Sequence, residues 1–127
     1  MGIEQIRRHC LSKKGTSESF PFDEHTLVFK VLTKMFLLAP LRLWDKGEGT
    51  ITLKCNPEYT EELREQYNSI YAGPYVSNKH WNTINIFEGE LKPKLITELI
   101  DHSYDMVVKG MTKKMRATLI EQNPDNQ

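Results

Sequence analysis

Residues 75–83 combine a hydroxyl, two carboxamides, an ammonium, an imidazole and two aromatic rings within nine positions. Lys79 offers a point charge to a phosphate, and Asn78 and Asn82 offer amides that can bond phosphate oxygens or base edges. His80 gains a positive charge at lower pH, and Trp81 presents a ring on which an exposed base can stack. These residue types favour contact with a nucleic acid.

The same residues also have a purely structural interpretation. Trp81 would then belong to the core, His80 would be hydrogen-bonded beneath a sheet, and the asparagines would cap turns. The segment follows the turn pair Gly73-Pro74 and precedes a β-prone run at 83–87. It is therefore expected where a loop or a short helical turn enters a strand, a position where binding groups concentrate.

Three more lysines in predicted strands, or at their ends, could widen this segment into a basic surface. Phosphate binding requires cations that cluster, because its affinity comes from counterion release. Isolated lysines on strand faces are otherwise solvated or discourage edge pairing. The predicted nucleic-acid-binding residues are Lys30, Lys34, Lys54, Asn78, Lys79, His80, Trp81 and Asn82.

Catalysis finds little support in the sequence. Cys55 and His80 are one available nucleophile and base, but Cys55 falls on the inward face of a predicted strand, where a thiol is ordinarily inert. Ser103 falls on the buried stripe of the last long helix, where a hydroxyl usually bonds backward to a carbonyl of its own helix. Acids occur singly rather than in pairs. We therefore expect neither enzyme activity nor a cofactor.

Metal and membrane classes are similarly disfavoured. Asp101, His102 and Asp105 could form a weak hard-cation site, but they fit better as the wet face of a helix, so no metal is predicted. No segment approaches the ~20 apolar residues that span a bilayer, and the N-terminus lacks the pattern of a signal peptide. Two cysteines without CxxC spacing fit reduced thiols. We expect a cytoplasmic protein with no membrane contact.

The overall balance of charge is neutral. The chain has 127 residues, with 17 basic and 17 acidic side chains, so DNA binding would need a local cluster of cations. A net charge near zero also favours weak self-association, and a weak homodimer is an expectation. The length fits one domain.

Periodicity and turn signals predict an α+β fold, with helices packed on one face of an antiparallel sheet. Residues 39–49 are expected to form a mobile loop or a hairpin tip. A single domain is expected over 1–110, and 111–127 is expected to be a partly disordered C-terminal extension. The predicted helices are 2–14, 57–68 and 92–109, and the predicted strands are 26–31, 35–38, 50–55 and 83–87.

Five short segments occur in a recognisable order: Thr26-Leu27-Val28-Phe29-Lys30-Val31, Lys34-Met35-Phe36, Leu53-Lys54-Cys55, Asn78-Lys79-His80-Trp81-Asn82-Thr83 and Leu99-Ile100-Asp101-His102-Ser103-Tyr104. Together they resemble the MmcQ/YjbR family of small bacterial proteins. The resemblance implies a CyaY-like fold, a two-layer sandwich related in shape to frataxin. It also implies a DNA-binding role ascribed to two projecting loops. The charged loop at 44–49 and the tail after Gly110 depart from the family pattern.

A competing class is a non-catalytic module that binds a small ligand or a protein. In that case Phe22, Tyr75, Trp81 and Tyr104 would line a mixed aromatic and polar pocket between sheet and helices. A concave site would favour this class, and a convex positive strip would favour DNA.

Overall fold

The computed structural model describes residues 1–73, 76–77 and 79–122. Within these residues, five helices and six strands form an α+β fold whose antiparallel sheet stays open, which confirms the predicted class. The helices are α1 (Ile3–Leu11), α2 (Leu41–Asp45), α3 (Pro57–Gln66), α4 (Pro93–Lys109) and α5 (Lys113–Glu121). The strands are β1 (Thr16–Ser19), β2 (Thr26–Val31), β3 (Lys34–Pro40), β4 (Thr50–Lys54), β5 (Ile70–Tyr71) and β6 (Trp81–Asn85).

The strands lie side by side in the order β1-β2-β3-β4-β6-β5, and every neighbouring pair is antiparallel. One row of paired residues crosses the sheet from β2 to β5. Because side chains alternate between the two faces of a strand, all members of this row point to the same face. The row consists of Val28, Leu38, Thr52, Thr83 and Tyr71.

The other face of the sheet carries the hydrophobic core. α4 lies across β3 and β4 and buries Ile96, Leu99 and Ile100 there. The ring of Phe36 meets that of Tyr104 edge to face, with centroids 5.5 Å apart. Full burial of each such side chain contributes about 1.5–3 kcal/mol. The helix-covered face therefore holds the main hydrophobic core, whereas α1 and α4 do not cover the opposite face.

A β-bulge interrupts the sheet beneath α4. The register of β2 against β3 slips near Phe36, and the Ser103 hydroxyl fills the gap. It donates to the Phe36 carbonyl at 2.5 Å and accepts from the Lys54 amide at 2.9 Å. The predicted bond from Ser103 to its own helix is wrong, because the single hydroxyl proton is directed to the sheet.

Most predicted elements are present with shifted ends. β2 covers the predicted range, whereas α1 ends at Leu11 and β6 begins at Trp81. Two short strands, β1 and β5, were not predicted from the sequence. The expected loop at 39–49 instead contains α2. Within it the Trp44 indole donates to the Thr50 carbonyl at 3.0 Å, and a side chain at Gly49 would clash with the indole ring.

The segment after Gly110 forms the separate helix α5, which packs on the same domain. Leu119 is buried against the core. A side chain at Gly15 would lie 2.5 Å from Leu119 Cδ1, so the two backbones approach closely. Lys14 Nζ also donates to the Ile120 carbonyl at 2.6 Å. The predicted disorder of the tail's last residues, 123–127, lies outside the described part of the chain.

Candidate functional site

The sheet face opposite α1 and α4, here called the open face, contains a concave trough of about 660 Å³. This volume lies within the range of about 300–1,000 Å³ that is typical of ligand sites. Its floor is built from sheet side chains: Thr26, Met35, Leu38, Pro40, Thr50, Thr52 and Thr83. Its walls come from the flanking connections, α2 and β5: Phe22, Asp23, Leu43, Tyr71 and Val76.

The trough is mostly apolar, and aromatic rings stand on its walls. Phe22 is 66% exposed and Tyr71 is 40% exposed, so both rings remain accessible. On the floor, the Thr52 and Thr83 hydroxyls bond each other at 3.1 Å, which satisfies part of their polarity. The arrangement suits a flat, weakly polar group better than a charged one.

Two of the predicted lysines, Lys30 and Lys54, lie at one end of the open face, here called the lysine end. Lys30 pairs with the trough residue Met35, and Lys54 pairs with Trp81 across β4 and β6. With strands about 4.8 Å apart, the backbones of Lys30 and Lys54 lie about 10 Å apart.

Lys34 begins β3 at the same end of the strands, but it pairs with Val31, whose side chain is buried in the core. Because paired residues share a face of the sheet, Lys34 lies on the helix-covered side and is not part of the open face.

The lysine end is rich in uncompensated positive charge. Lys79 and His80 are exposed in the turn before β6, at the same end of the strands. The ion pairs found among the described residues involve none of these groups and lie in the helical layer and β1 instead. They are Arg7 with Glu4, Arg7 with Glu18, His9 with Asp101 and Lys13 with Asp101.

Carboxylates gather at the opposite end of the strands. Asp23 accepts the backbone amides of His25 and Thr26, and these hydrogen bonds hold the pKa of its carboxyl below the ordinary value. The connections at this end also contain three cations that partly offset six acids, namely Arg42, Lys46 and Lys92. The open face is therefore polarised along the strand axis. The acids in these connections are Asp23, Glu24, Asp45, Glu48, Glu88 and Glu90.

Asn82 does not join the other predicted site residues. It is 2% exposed and lies on the helix-covered face. Arg64 Nε donates to its Oδ1 at 2.8 Å, and its Nδ2 donates to Thr60 Oγ1 at 3.2 Å. A ligand on the open face cannot reach this amide, so Asn82 is not part of the candidate interface. Asn78 lies outside the described residues.

The structural interpretation of Trp81 and His80 does not match their positions. Trp81 is half-buried on the open face beside Lys54, rather than packed into the core. His80 is exposed, and its carbonyl, rather than its ring, bonds the sheet by accepting from the Cys55 amide at 2.8 Å. Both rings can therefore meet a ligand at the lysine end.

The aromatic pocket predicted between sheet and helices is replaced by the trough. Tyr104 belongs to the packed helical layer, where its hydroxyl donates to the Lys14 carbonyl at 2.6 Å. The cavity found on that side, beside Cys55 and His102, has a volume of only about 10 Å³. Phe22 does line the trough, whereas Tyr75 lies outside the described residues.

Sequence reasoning missed the trough residues Tyr71, Leu43 and Val76. The signal for its floor was nevertheless visible, because Thr50 and Thr52 occupy the outward positions of β4. Outward threonines at alternate positions indicate an uncovered sheet face, but they do not show what bounds it.

The catalytic and metal candidates are not arranged for chemistry. Burial raises the pKa of the Cys10 thiol to about 12 and also raises that of Cys55. The His102 ring accepts from the Asn56 amide at 3.1 Å. Among the residues described here, no group of three or more His, Cys, Asp or Glu side chains is placed to hold a metal ion.

No helix in the described ranges has the length and apolar character to cross a membrane.

The open antiparallel sheet, with helices on one face and a loop-bounded trough on the other, defines a class of small two-layer α+β proteins. The YjbR family model matches residues 11–106, so the chain belongs to the YjbR family. This confirms the resemblance inferred from the sequence motifs.

Individual relatives extend over nearly the whole chain. "Uncharacterized protein YjbR" from Escherichia coli K12 is 26% identical over 121 residues, covering 95% of this chain and 99% of that protein. "Uncharacterized protein YbdF" from Escherichia coli O157:H7 is 30% identical, covering 87% and 88% respectively. A crystal structure of Deinococcus radiodurans protein DR2400 superposes with a TM-score of 0.82 at 37% identity, covering 93% and 87%.

Proposed function

We propose that this protein binds DNA through the open face, with phosphates held at the lysine end. The observation that carries the proposal is the sheet register, which brings Lys30, Lys54 and Trp81 from three different strands to one end of one face. The DNA-binding role that the family resemblance implies also favours this partner. Asn82 takes no part.

Local charge supports the proposal better than total charge does. The chain is neutral overall, but the segments around Lys30, Lys54 and Trp81 (28–31, 50–56 and 79–82) contain no Asp or Glu. The acid nearest in sequence to any of these three residues is Glu58, four residues after Lys54. Cations without neighbouring carboxylates release the counterions of DNA when they meet phosphates. Because few such cations are present, we expect modest affinity with a clear dependence on salt.

We also propose that the protein is not an enzyme. Its described thiols are buried with raised pKa values, and the Ser103 hydroxyl is committed to the backbone. Neither side chain is available as a nucleophile. A cytoplasmic location and weak self-association stay predictions from the sequence.

The binding test compares charge-removing variants at equal net charge. Fluorescence anisotropy would follow DNA binding between about 50 and 200 mM salt, the range over which phosphate contacts weaken strongly. Lys30→Gln and Lys54→Gln should each weaken binding and reduce the salt slope by about 0.7–0.9, the value for one phosphate contact.

Lys94→Gln is the matched control. It removes the same charge from an exposed position on α4, which lies on the other side of the sheet from the open face. It should leave the slope unchanged. Equal losses in all three variants, or no salt-dependent binding by the unaltered protein, would contradict the proposal.

The trough favours a second candidate function, the binding of a small ligand. Its volume of about 660 Å³ and its apolar lining suit a compact, mostly apolar molecule. This candidate predicts that such compounds raise the melting temperature while no DNA probe binds. The DNA proposal predicts the reverse.

A further inference from the structure

We infer that the open face takes single-stranded DNA, with its phosphates along the lysine end and at least one unpaired base inserted into the trough. The inference rests on the proposed function and specifies the form of DNA that the site accepts.

The distribution of charge on the open face determines the direction in which a DNA strand can lie across it. Lys30 and Lys54 occupy one end of the open face, and the connections at the other end contain six carboxylates against three cations, a net negative charge. A phosphate chain laid along the β-strands would therefore run from attraction into repulsion. A chain that crosses them at the lysine end meets Lys30 and Lys54 about 10 Å apart without approaching the acids.

A DNA strand that crosses the β-strands at the lysine end has its bases beside the trough. Met35 pairs with Lys30 and also lines the trough, so cations and apolar floor are direct neighbours.

The accessible ring of Tyr71 stands on the wall beside Thr83. That of Phe22 stands at the far end of the trough, next to Asp23. An inserted base therefore points away from the phosphates at the lysine end and toward Phe22. Aromatic rings stack on bases of any sequence because every base has a π-face. The phosphate remains outside while the flat base enters.

Duplex DNA fits this surface poorly. Its bases are stacked and paired, and phosphates form its outer ridges, so a duplex has no flat apolar group to place in a concave site. Its second backbone would also lie toward the carboxylate end. A single strand can turn a base outward without breaking pairs, so the trough selects for unpaired DNA.

The test uses three labelled probes of equal length, roughly eight nucleotides, within the site sizes known for single-strand binders. The first is an all-thymine oligonucleotide, the second has the same phosphates but abasic sugars, and the third is a duplex. Anisotropy at low salt should show the thymine strand binding tightest. The abasic strand should bind about tenfold more weakly, because it loses stacking alone.

Phe22→Ala tests the trough itself, and Phe20→Ala is its matched control. Both phenylalanines are exposed in the β1–β2 connection, but Phe22 lines the trough and Phe20 does not. Phe22→Ala should lower the thymine-to-abasic affinity ratio without weakening abasic binding. Phe20→Ala should change neither, and Lys54→Gln should weaken both probes together.

The outcomes separate the two proposals. If the thymine and abasic strands bind equally, base insertion is overturned while phosphate binding stands. If the duplex binds more tightly than the thymine strand, the single-strand inference is overturned in the same way. If no probe binds, the proposed function itself fails.

Discussion

Asn82 and Ser103 show how position decides the role of a polar side chain. Asn82 belongs to a motif rich in binding groups, yet its amide bonds Arg64 and Thr60 beneath the sheet. Ser103 is buried on a helix, yet its hydroxyl joins two strands. In both cases the buried polar side chain has hydrogen-bond partners as a donor and as an acceptor, which offsets the cost of its burial.

Ser103→Ala should destabilise the fold by about 1–3 kcal/mol. The substitution removes the acceptor of the Lys54 amide and the donor to the Phe36 carbonyl, and leaves both backbone groups buried under α4. Urea denaturation followed by circular dichroism would measure the loss. Ser19→Ala, on the exposed end of β1, is the control and should cost little. Equal stability of the two variants would show that water replaces the hydroxyl.

At the scale of elements, β1 depends on a contact from α1. Arg7 Nε donates to Glu18 Oε2 at 2.6 Å, and Nη2 donates to Oε1 at 2.5 Å, a two-point pairing. β1 is a four-residue edge strand of mostly polar residues, so its own sequence provides little packing. Arg7 therefore serves the fold and is not available to a nucleic acid.

Glu18→Gln should lower stability by about 1 kcal/mol at neutral pH, as expected for a two-point ion pair near the surface. The hydrogen bond from Arg7 holds the pKa of the Glu18 carboxyl below its usual value. A depressed folded-state pKa gives stability that is present above the unfolded pKa of about 4.3 and is lost as pH falls through the folded value. The difference in stability between Glu18→Gln and the unaltered protein, here called the gap, should therefore close below about pH 4.

Denaturation midpoints measured from pH 7 down to about pH 3 would follow this gap. Glu61→Gln, on the exposed side of α3, is the control and should differ little from the unaltered protein at either end. A gap for Glu18→Gln that stays constant with pH would contradict the argument.

At the scale of the whole molecule, α5 is part of the packed domain even though it lies beyond the family match at 11–106. Its anchor is Leu119, which sits against Gly15 at the end of the α1–β1 connection. Gly15 has a φ of +72°, a left-handed conformation that favours glycine. Glycine is therefore favoured at position 15 for two reasons: the left-handed backbone and the close approach of Leu119.

Gly15→Ala should destabilise by about 1–3 kcal/mol, from the left-handed backbone and from overlap with Leu119. Leu119→Ala should cost about 2 kcal/mol or more through the cavity it leaves. Because the smaller side chain at 119 relieves the overlap, the double variant should lose less than the sum of the two. Urea denaturation of the four proteins measures this coupling, and strict additivity would place α5 away from Gly15 in solution.

Local patterns in the sequence were enough for the main elements and for the fold class. β4 alternates Thr and Lys with Ile and Leu, β2 places Leu27, Phe29 and Val31 at every second position, and α4 carries a wide apolar stripe. Each pattern could be interpreted from residues close in sequence. β1 and β5 were missed because they are short and acquire strand geometry from a neighbour. α2 was missed because flanking Pro and Gly residues indicated a loop.

The candidate site depended on contacts between distant residues. Family motifs pointed to Lys54 and Trp81 separately, but only the pairing of β4 with β6 makes them neighbours on one face. The same pairing turns Asn82 inward, since consecutive strand residues face opposite sides. Composition by itself determined that the chain is neutral; the tertiary structure decided that Lys30 and Lys54 lie at the opposite end of the open face from Asp23. Register and strand order arise from long-range packing, which no local pattern contains.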